Sequence, residues 1–211
     1  MVVECANPNG NYSNCKEFGP AGVGGKEIVG SGGLSDSMSG DGSRAEDLCL
    51  ACGLCCNGVI FADVRLQPGD DAARLRALGL RVFASRAATG APGFKQPCAA
   101  LAGCSCRVYA ERPGYCREFE CLLLQRVKAG RLERRAALAI IGVARERVER
   151  VRRLLRELGD GDETLALSAR FRRTAARLEK VGLDEVKADL FGELTLAVHD
   201  LNLAVKEAFY P

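Results

Sequence analysis

Four cysteines lie within eight residues of this 211-residue chain, at Cys49, Cys52, Cys55 and Cys56, with Gly53 available for a turn between them. A Cys-x2-Cys spacing lets two sulfurs from one tight turn reach the same ion at about 2.3 Å, as in zinc and iron–sulfur sites. Oxidisable thiols this dense add nothing to an apolar core that Leu or Val would not supply. The segment therefore predicts metal binding or thiol chemistry.

A second group of cysteines follows some forty residues later, at Cys98, Cys104, Cys106, Cys116 and Cys121. In the first group, Cys49-x2-Cys52-x2-Cys55 matches the first three ligands of a ferredoxin-type cluster, but the fourth cysteine is adjacent instead of four residues on. Neighbouring cysteines cannot easily face one ion together. We therefore expect Cys55 or Cys56 either to join a second metal or to stay a free, reactive thiol.

Composition limits the compartment and the class of protein. The chain is 47% apolar with a formal net charge of +3, which suits one domain with appendages. No stretch resembles a secretory signal or a membrane span, so we expect a cytoplasmic protein with no membrane partner. In a reducing compartment, eleven cysteines favour metal ligation or thiol chemistry over a disulfide framework.

Residues 1–44 differ in composition from the rest of the chain. They are rich in Gly and Ser, no arginine precedes Arg44, and no amphipathic period is present, so we predict a disordered tail. Met38 is the only methionine besides Met1, and we hypothesise that it is the native start. The predicted domains are a cysteine-cluster metal-binding domain over 45–130 and a helical region over 131–211.

Apolar periodicity predicts a mainly α protein in which a small cysteine-rich α/β module precedes an amphipathic helical bundle or hairpin. Short strands are predicted over 59–61 and 80–83, a helix from Asp70 or Asp71 to Leu78, and a loop over 87–95. Longer helices are predicted over 113–130, 131–158, 163–181 and 184–209. We expect the last helices to pack on the cysteine module or to form a surface for a protein partner or for self-association.

The helix predicted over 131–158 carries nine Arg and four Glu. A basic helix can meet nucleic acid or an acidic partner. However, Glu146 with Arg150 and Glu149 with Arg153 are four residues apart, which is typical of a solvated face. No aromatic residues are interleaved for base stacking, so nucleic acid is disfavoured as a partner.

The order of these motifs resembles the YkgJ-type cysteine-cluster proteins, a CxxCxxCC family described as zinc- or iron-chelating that includes the flagellin lysine N-methylase FliB. The resemblance rests on Cys49, Cys52, Cys55 and Cys56, Cys98 with Leu101, Cys106 with Tyr109, Arg112-Pro113, and Cys116-Arg117-x-Phe119-x-Cys121. It spans residues 49–121 and leaves the C-terminal helices out. It implies a bound metal or iron–sulfur centre and carries no specific reaction with it.

The metal ligands that the resemblance implies are Cys49, Cys52, Cys55, Cys56, Cys98, Cys106, Cys116 and Cys121. Cys104 lies outside the family pattern and is a spare thiol or a substitute ligand. Eight thiols suit two closed zinc sites, or one iron–sulfur cluster with spare thiols, and the ferredoxin-like opening favours iron–sulfur. Four thiolates around a divalent ion leave a net charge of minus two, which Arg112 and Arg117 are placed to balance, either beside the ligands or by receiving an anionic substrate.

Three functions remain open at this point. The chain is a metal-handling protein, an iron–sulfur-dependent enzyme of redox or FliB-like N-methylation chemistry, or a zinc-stapled module whose helices bind a partner. No Gly-rich nucleotide motif, acid–base pair or triad favours a more specific reaction.

Overall fold

The computed structural model describes residues 4–6, 12–14, 48–84, 90–182 and 184–210. The strands are β1 (Glu4–Ala6), β2 (Tyr12–Asn14), β3 (Asp63–Arg65), β4 (Val82–Phe83), β5 (Gly93–Lys95), β6 (Leu101–Ala102) and β7 (Ser105–Cys106). The helices are α1 (Ala72–Ala77), α2 (Gly114–Glu118), α3 (Leu122–Lys128), α4 (Arg134–Glu157), α5 (Leu167–Val181) and α6 (Glu185–Ala208). The predicted mainly α class is confirmed. Among the described residues, no helix combines the length and apolarity that crossing a bilayer requires.

Most of the predicted tail, including Met38, lies outside the described residues. Within the tail the structure describes only β1 and β2, which pair antiparallel. The disordered tail, the start at Met38 and the domain boundaries therefore stay predictions.

A three-stranded antiparallel sheet lies between the two cysteine groups, in the order β3-β5-β4. Its central strand, β5, falls in the predicted loop, so that prediction was wrong. The strand is only three residues long, and it is stabilised by a neighbour on each side instead of by its own propensity. A Cβ at Gly93 would lie 2.5 Å from the carbonyl oxygen of Val64, so only glycine fits this register.

Other local predictions were partly right. The strand expected over 59–61 is not formed, and β3 begins two residues later, whereas the strand expected over 80–83 shortens to β4. Asp71 caps α1 by accepting hydrogen bonds from the backbone N–H groups of Ala73 and Arg74, both at 2.9 Å.

The helix predicted over 113–130 is broken into α2 and α3. Phe119, at φ −69° and ψ 118°, and Cys121, at φ −67° and ψ 159°, have extended backbone conformations that end one helix and begin the next. The break places Cys116 on α2 and Cys121 at the start of α3, so the two thiols are not on one helix face.

Helices α4 and α6 pack along each other and enclose the main apolar core. Seven apolar residues spaced three or four apart along α4 and its C-cap are buried: Ala137, Ile141, Ala144, Val148, Val151, Leu155 and Leu158. On α5, by contrast, the last helical residue, Val181, is 77% exposed. The predicted ion pairs within α4 are also replaced, since Arg150 pairs with Glu193 on α6 at 3.1 Å and Arg153 with Glu157 at 3.6 Å.

The helices dock on the chain just after the first cysteine group. The backbone N–H of Leu167 donates to the carbonyl oxygen of Gly58 at 2.9 Å, and the hydroxyl of Tyr210 donates to that of Ile60 at 3.0 Å. Gly58 has φ +80°, and a Cβ there would lie 2.9 Å from the Cα of Ala166. Both the backbone conformation and the lack of space therefore exclude a side chain at this position. Leu54 and Ile60 belong to the same apolar core as the helices.

A buried ion cluster holds the turn between α4 and α5. Asp160 is 3% exposed and Arg170 is 1% exposed, and their Oδ1 and Nε atoms are 3.1 Å apart. Arg170 also donates to the carbonyl oxygen of Asp160 at 2.7 Å, and Arg173 donates to both carboxylate oxygens. Burial alone would raise the pKa of Asp160, but the hydrogen bonds from Arg173 and Arg170 outweigh it and hold that pKa below its usual value.

We expect Asp160→Asn to destabilise the protein by about 3–5 kcal/mol, because it leaves the charge of Arg170 buried without its partner. Urea unfolding followed by circular dichroism measures this. The matched control is Asp63→Asn, which removes a more exposed pair with Lys95 and should cost about 0–1 kcal/mol. Equal effects of the two variants would contradict the expectation.

The difference between wild type and Asp160→Asn should also depend on pH. The stabilisation from a carboxylate whose folded pKa is lowered is complete above its unfolded pKa, and is lost as pH falls through the folded value. The difference should therefore shrink below about pH 4.

Candidate metal centre

The first cysteine group sits on a helical segment over 48–52 and the turn that follows it. Gly53, at φ +68°, lets the chain reverse there, a conformation that side chains other than glycine rarely adopt. The backbone N–H of Gly53 donates to the carbonyl oxygen of Cys49 at 3.2 Å, and that of Cys56 donates to the carbonyl oxygen of Gly53 at 2.9 Å. Cys49 and Cys52 are thus one helical turn apart, while Cys55 and Cys56 follow in the turn.

Four of the thiols interact mainly with one another, and we call them the first thiol set: Cys49, Cys52, Cys55 and Cys121. Burial raises the pKa of Cys52 to about 12, and the neighbouring Cys121 and Cys49 thiolates add to the rise. Burial also raises the pKa of Cys55, followed by the charges of Cys52 and its chain neighbour Cys56. The remote Cys121 therefore completes a set begun by three cysteines in seven residues.

The other four free thiols form the second thiol set: Cys56, Cys98, Cys106 and Cys116. Burial raises the pKa of Cys56, and the thiolates that add most to this rise are Cys98, Cys116 and Cys106. Burial, then Cys98 and Cys106, raise the pKa of Cys116 to about 12. Backbone contact ties two members together, because the N–H of Cys98 donates to the carbonyl oxygen of Cys56 at 2.8 Å.

The two sets meet at consecutive residues. Cys55 belongs to the first and Cys56 to the second; the charge of Cys56 adds to the raised pKa of Cys55, and the charge of Cys49 adds to that of Cys56. Successive side chains leave the backbone in different directions, which is why adjacent cysteines reach different neighbours.

In the described ranges, no group of three or more His, Cys, Asp or Glu side chains is arranged to hold a metal ion. Eight free thiols in two fours nevertheless fit the ligand chemistry of zinc or iron.

A cavity of about 160 Å³ lies against both sets and is lined by seven of the eight free thiols. Its aromatic wall consists of Phe61, Tyr115 and Phe119, with the Phe61 and Phe119 rings edge to face at 4.9 Å. Gln96 also lines it, and the side-chain oxygen of this residue is buried without a hydrogen-bond partner. Among the described residues it is the one side-chain N or O atom in that condition.

Cationic side chains face both sets. Arg112 lies between them, and its charge lowers the pKa of both Cys49 and Cys116 against the larger effect of burial. Its Nε donates to the carbonyl oxygen of Tyr109 at 3.0 Å, and its guanidinium lies 3.6 Å from the centre of the Tyr109 side-chain ring. Arg117 donates to the carbonyl oxygen of Arg112 at 2.7 Å and so contacts its backbone.

Three further polar residues at the site were not predicted from the sequence: Gln96, Lys128 and Arg145. Lys128 lowers the pKa of Cys49, and Arg145 that of Cys52. Arg145 donates to the carbonyl oxygen of Ala51 at 3.2 Å, across 94 residues of sequence. One signal was available, because Arg145 is four residues after Ile141 and three before Val148, which places it on the buried stripe of α4.

Cys104 differs from the other cysteines of its group. It is disulfide-bonded and 7% exposed, and its sulfur accepts a hydrogen bond from Arg145 at 3.3 Å. Cys104 is therefore neither the spare thiol nor the substitute ligand that was expected. The eight free thiols are those that the sequence predicted as ligands, and their ligand role stays a prediction.

One comparison with known proteins gives a match, and the match covers the cysteine region. Residues 48–136 match the sequence model of a family described as "CxxCxxCC: Putative zinc- or iron-chelating domain". No curated protein and no solved structure matches the chain. N-methylation of the FliB type stays a prediction. Over residues 48–136, the chain contains a domain of the CxxCxxCC family, as its motifs predicted.

Proposed function

We propose that this domain binds two metal centres, one in each thiol set. The observation that carries the proposal is the division of the eight free thiols into two fours: Cys52, Cys55 and Cys121 pack against the main core, whereas Cys98, Cys106 and Cys116 pack against the smaller one. Four thiolates per centre is the usual ligand number of structural zinc sites and of iron–sulfur clusters. The raised thiol pKa values give the physical reason for a cation, since thiolates in this environment repel one another and lack solvent.

Iron–sulfur clusters are favoured over zinc by the first cysteine group. In two-cluster ferredoxins, the fourth cysteine of the Cys-x2-Cys-x2-Cys-x3-Cys run binds the other cluster. Cys56, the fourth cysteine here, likewise interacts with the second set. When bound, such centres carry electrons or polarise a substrate, and the thiol sets would hold them.

The positively charged side chain of Arg112 also supports the proposal. A divalent ion with four thiolates carries a net charge of minus two, and two such centres lie side by side. Arg112 interacts with one thiol of each set, so its charge is shared between them. Its contacts with Tyr109 hold the guanidinium in place at low entropic cost.

The identity of the metal is tested by anaerobic purification of the full chain from a host supplied with iron and zinc. We expect a coloured protein that contains iron and acid-labile sulfide, with a broad sulfur-to-iron charge-transfer band. A colourless sample with two zinc ions per chain would contradict the iron–sulfur assignment and favour the zinc-stapled interaction module.

The grouping of thiols is tested by the neighbouring variants Cys55→Ser and Cys56→Ser. Each should lose one centre and keep the other, so each retains about half of the wild-type metal. Cys55→Ser should match Cys121→Ser in its remaining spectrum, and Cys56→Ser should match Cys116→Ser. The control Cys104→Ser removes a disulfide-bonded sulfur and should keep both centres. Identical spectra for Cys55→Ser and Cys56→Ser would refute the two sets.

Arg112→Gln should weaken both centres, because it removes a charge that faces each set. We expect metal affinity to fall about tenfold for each, measured by competition with a chelator. Arg117→Gln is the matched control, since Arg117 contacts the backbone of Arg112, and it should change affinity less than Arg112→Gln. A loss confined to one centre would show that Arg112 serves that set alone.

A further inference from the structure

The side chain of Gln96 is buried at the thiol sets with its amide oxygen unsatisfied. Gln96 is 2% exposed, and its Oε1 has no hydrogen-bond partner among the described residues. Buried polar atoms in proteins are nearly always paired, so an exception at a candidate site calls for a ligand or a bound group. No described side chain outside this cavity is in the same condition.

The backbone fixes where this amide sits. The N–H of Gln96 donates to the carbonyl oxygen of Ala62 at 3.1 Å, at the end of the β3–β5 pairing. Two residues later, the N–H of Cys98 donates to the carbonyl oxygen of Cys56 at 2.8 Å. Gln96 therefore follows the sheet and precedes the second thiol set, held on both sides by backbone hydrogen bonds.

Its neighbours in the cavity define the partner. Gln96 lines the same cavity as all four thiols of the first set and as Cys56, Cys106 and Cys116 of the second. Its place in the chain favours the second set, because it lies two residues before Cys98, whose N–H donates to the carbonyl oxygen of Cys56. A metal-bound thiolate accepts hydrogen bonds and donates none, and it carries negative charge. An amide N–H is the complementary group. As placed, the buried amide atom is Oε1, which cannot pair with a thiolate. A half-turn of the amide about its terminal bond exchanges oxygen and nitrogen with little change in shape, and brings an Nε2–H donor to the buried position.

We propose that Gln96 is a positioning residue that donates a hydrogen bond from its side-chain Nε2–H to a metal-bound thiolate of the second thiol set. This inference rests on the proposed function, because it requires a metal centre in that set. Under this inference Gln96 acts on the second thiol set and not on the first. Hydrogen bonds to the sulfurs are among the factors that set the potential of an iron–sulfur centre, so Gln96 would tune one of two centres that otherwise have the same ligands.

The test is Gln96→Met in the full, metal-loaded chain. Methionine fills a similar volume without an N–H donor, so packing is kept while the hydrogen bond is lost. We expect the metal affinity of the second set to fall about 10–100-fold, with the first set unchanged. The sulfur-to-metal charge-transfer band of the second centre should move to longer wavelength, because a thiolate that accepts fewer hydrogen bonds gives up charge more easily. If the protein is colourless, Co(II) is the probe for this band.

Controls separate this role from a structural one. Gln125→Met makes the same change at an exposed glutamine that donates to the carbonyl oxygen of Glu120, and it should leave both bands and both affinities unchanged. Cys55→Ser and Cys56→Ser backgrounds assign any change to one set. Equal shifts in both centres, or an unchanged band and affinity in Gln96→Met, would overturn the role of Gln96 and leave the two metal centres standing.

A measurement on the wild-type protein keeps the inference testable if Gln96→Met does not fold. With NMR-active cadmium in both sets, a hydrogen bond to a ligand sulfur produces a scalar coupling between the metal and the side-chain N–H of Gln96. Its presence supports the inference, and its absence in protein with two bound cadmium ions overturns it. Failure to bind two metal ions at all would instead refute the proposed function.

Discussion

The free-energy cost of ionising partly buried, neighbouring thiols is the constraint around which this domain is built. Burial and neighbouring sulfurs act in the same direction on most of the eight thiols, which raises the free energy of their charged forms. A bound cation reverses the sign of the interaction, so what opposes the folded arrangement without metal favours it with metal. The surrounding strands have two or three residues each and enclose a small core of six buried residues. We infer that metal binding supplies a large part of the local stability, as it does in other small cysteine-rich domains.

The long helices support the first thiol set. Their core is continuous with Leu48, Leu54 and Ile60, which flank the first cysteine group. The turn after α4 is held by the Asp160 cluster, and that turn is where the chain contacts Gly58. Three thiols of the second set, Cys98, Cys106 and Cys116, pack instead against the small core around the short sheet. The two sets are thus held by different parts of the fold, although they share a cavity.

Sequence reasoning succeeded where the signal is local and failed where it depends on contacts far apart in the chain. The helices α4 to α6 follow from apolar spacing, and Asp71 and Asp184, near the predicted starts of two helices, cap them. Cys55 and Cys56 were expected to serve different roles, because adjacent side chains diverge. Their assignment to sets could not be predicted, because it depends on Cys121 and Cys116 reaching back more than fifty residues. The break between α2 and α3, which separates those two thiols, has no Gly or Pro to mark it.

The junction of Cys55 and Cys56 also fixes a distance that side-chain packing cannot change. Consecutive Cα atoms lie about 3.8 Å apart, so one peptide unit joins the first thiol set to the second. Elsewhere in the domain, loops can lengthen while the two sets keep their spacing. At this one position an inserted residue would separate the two thiol sets directly and lengthen the covalent path between them.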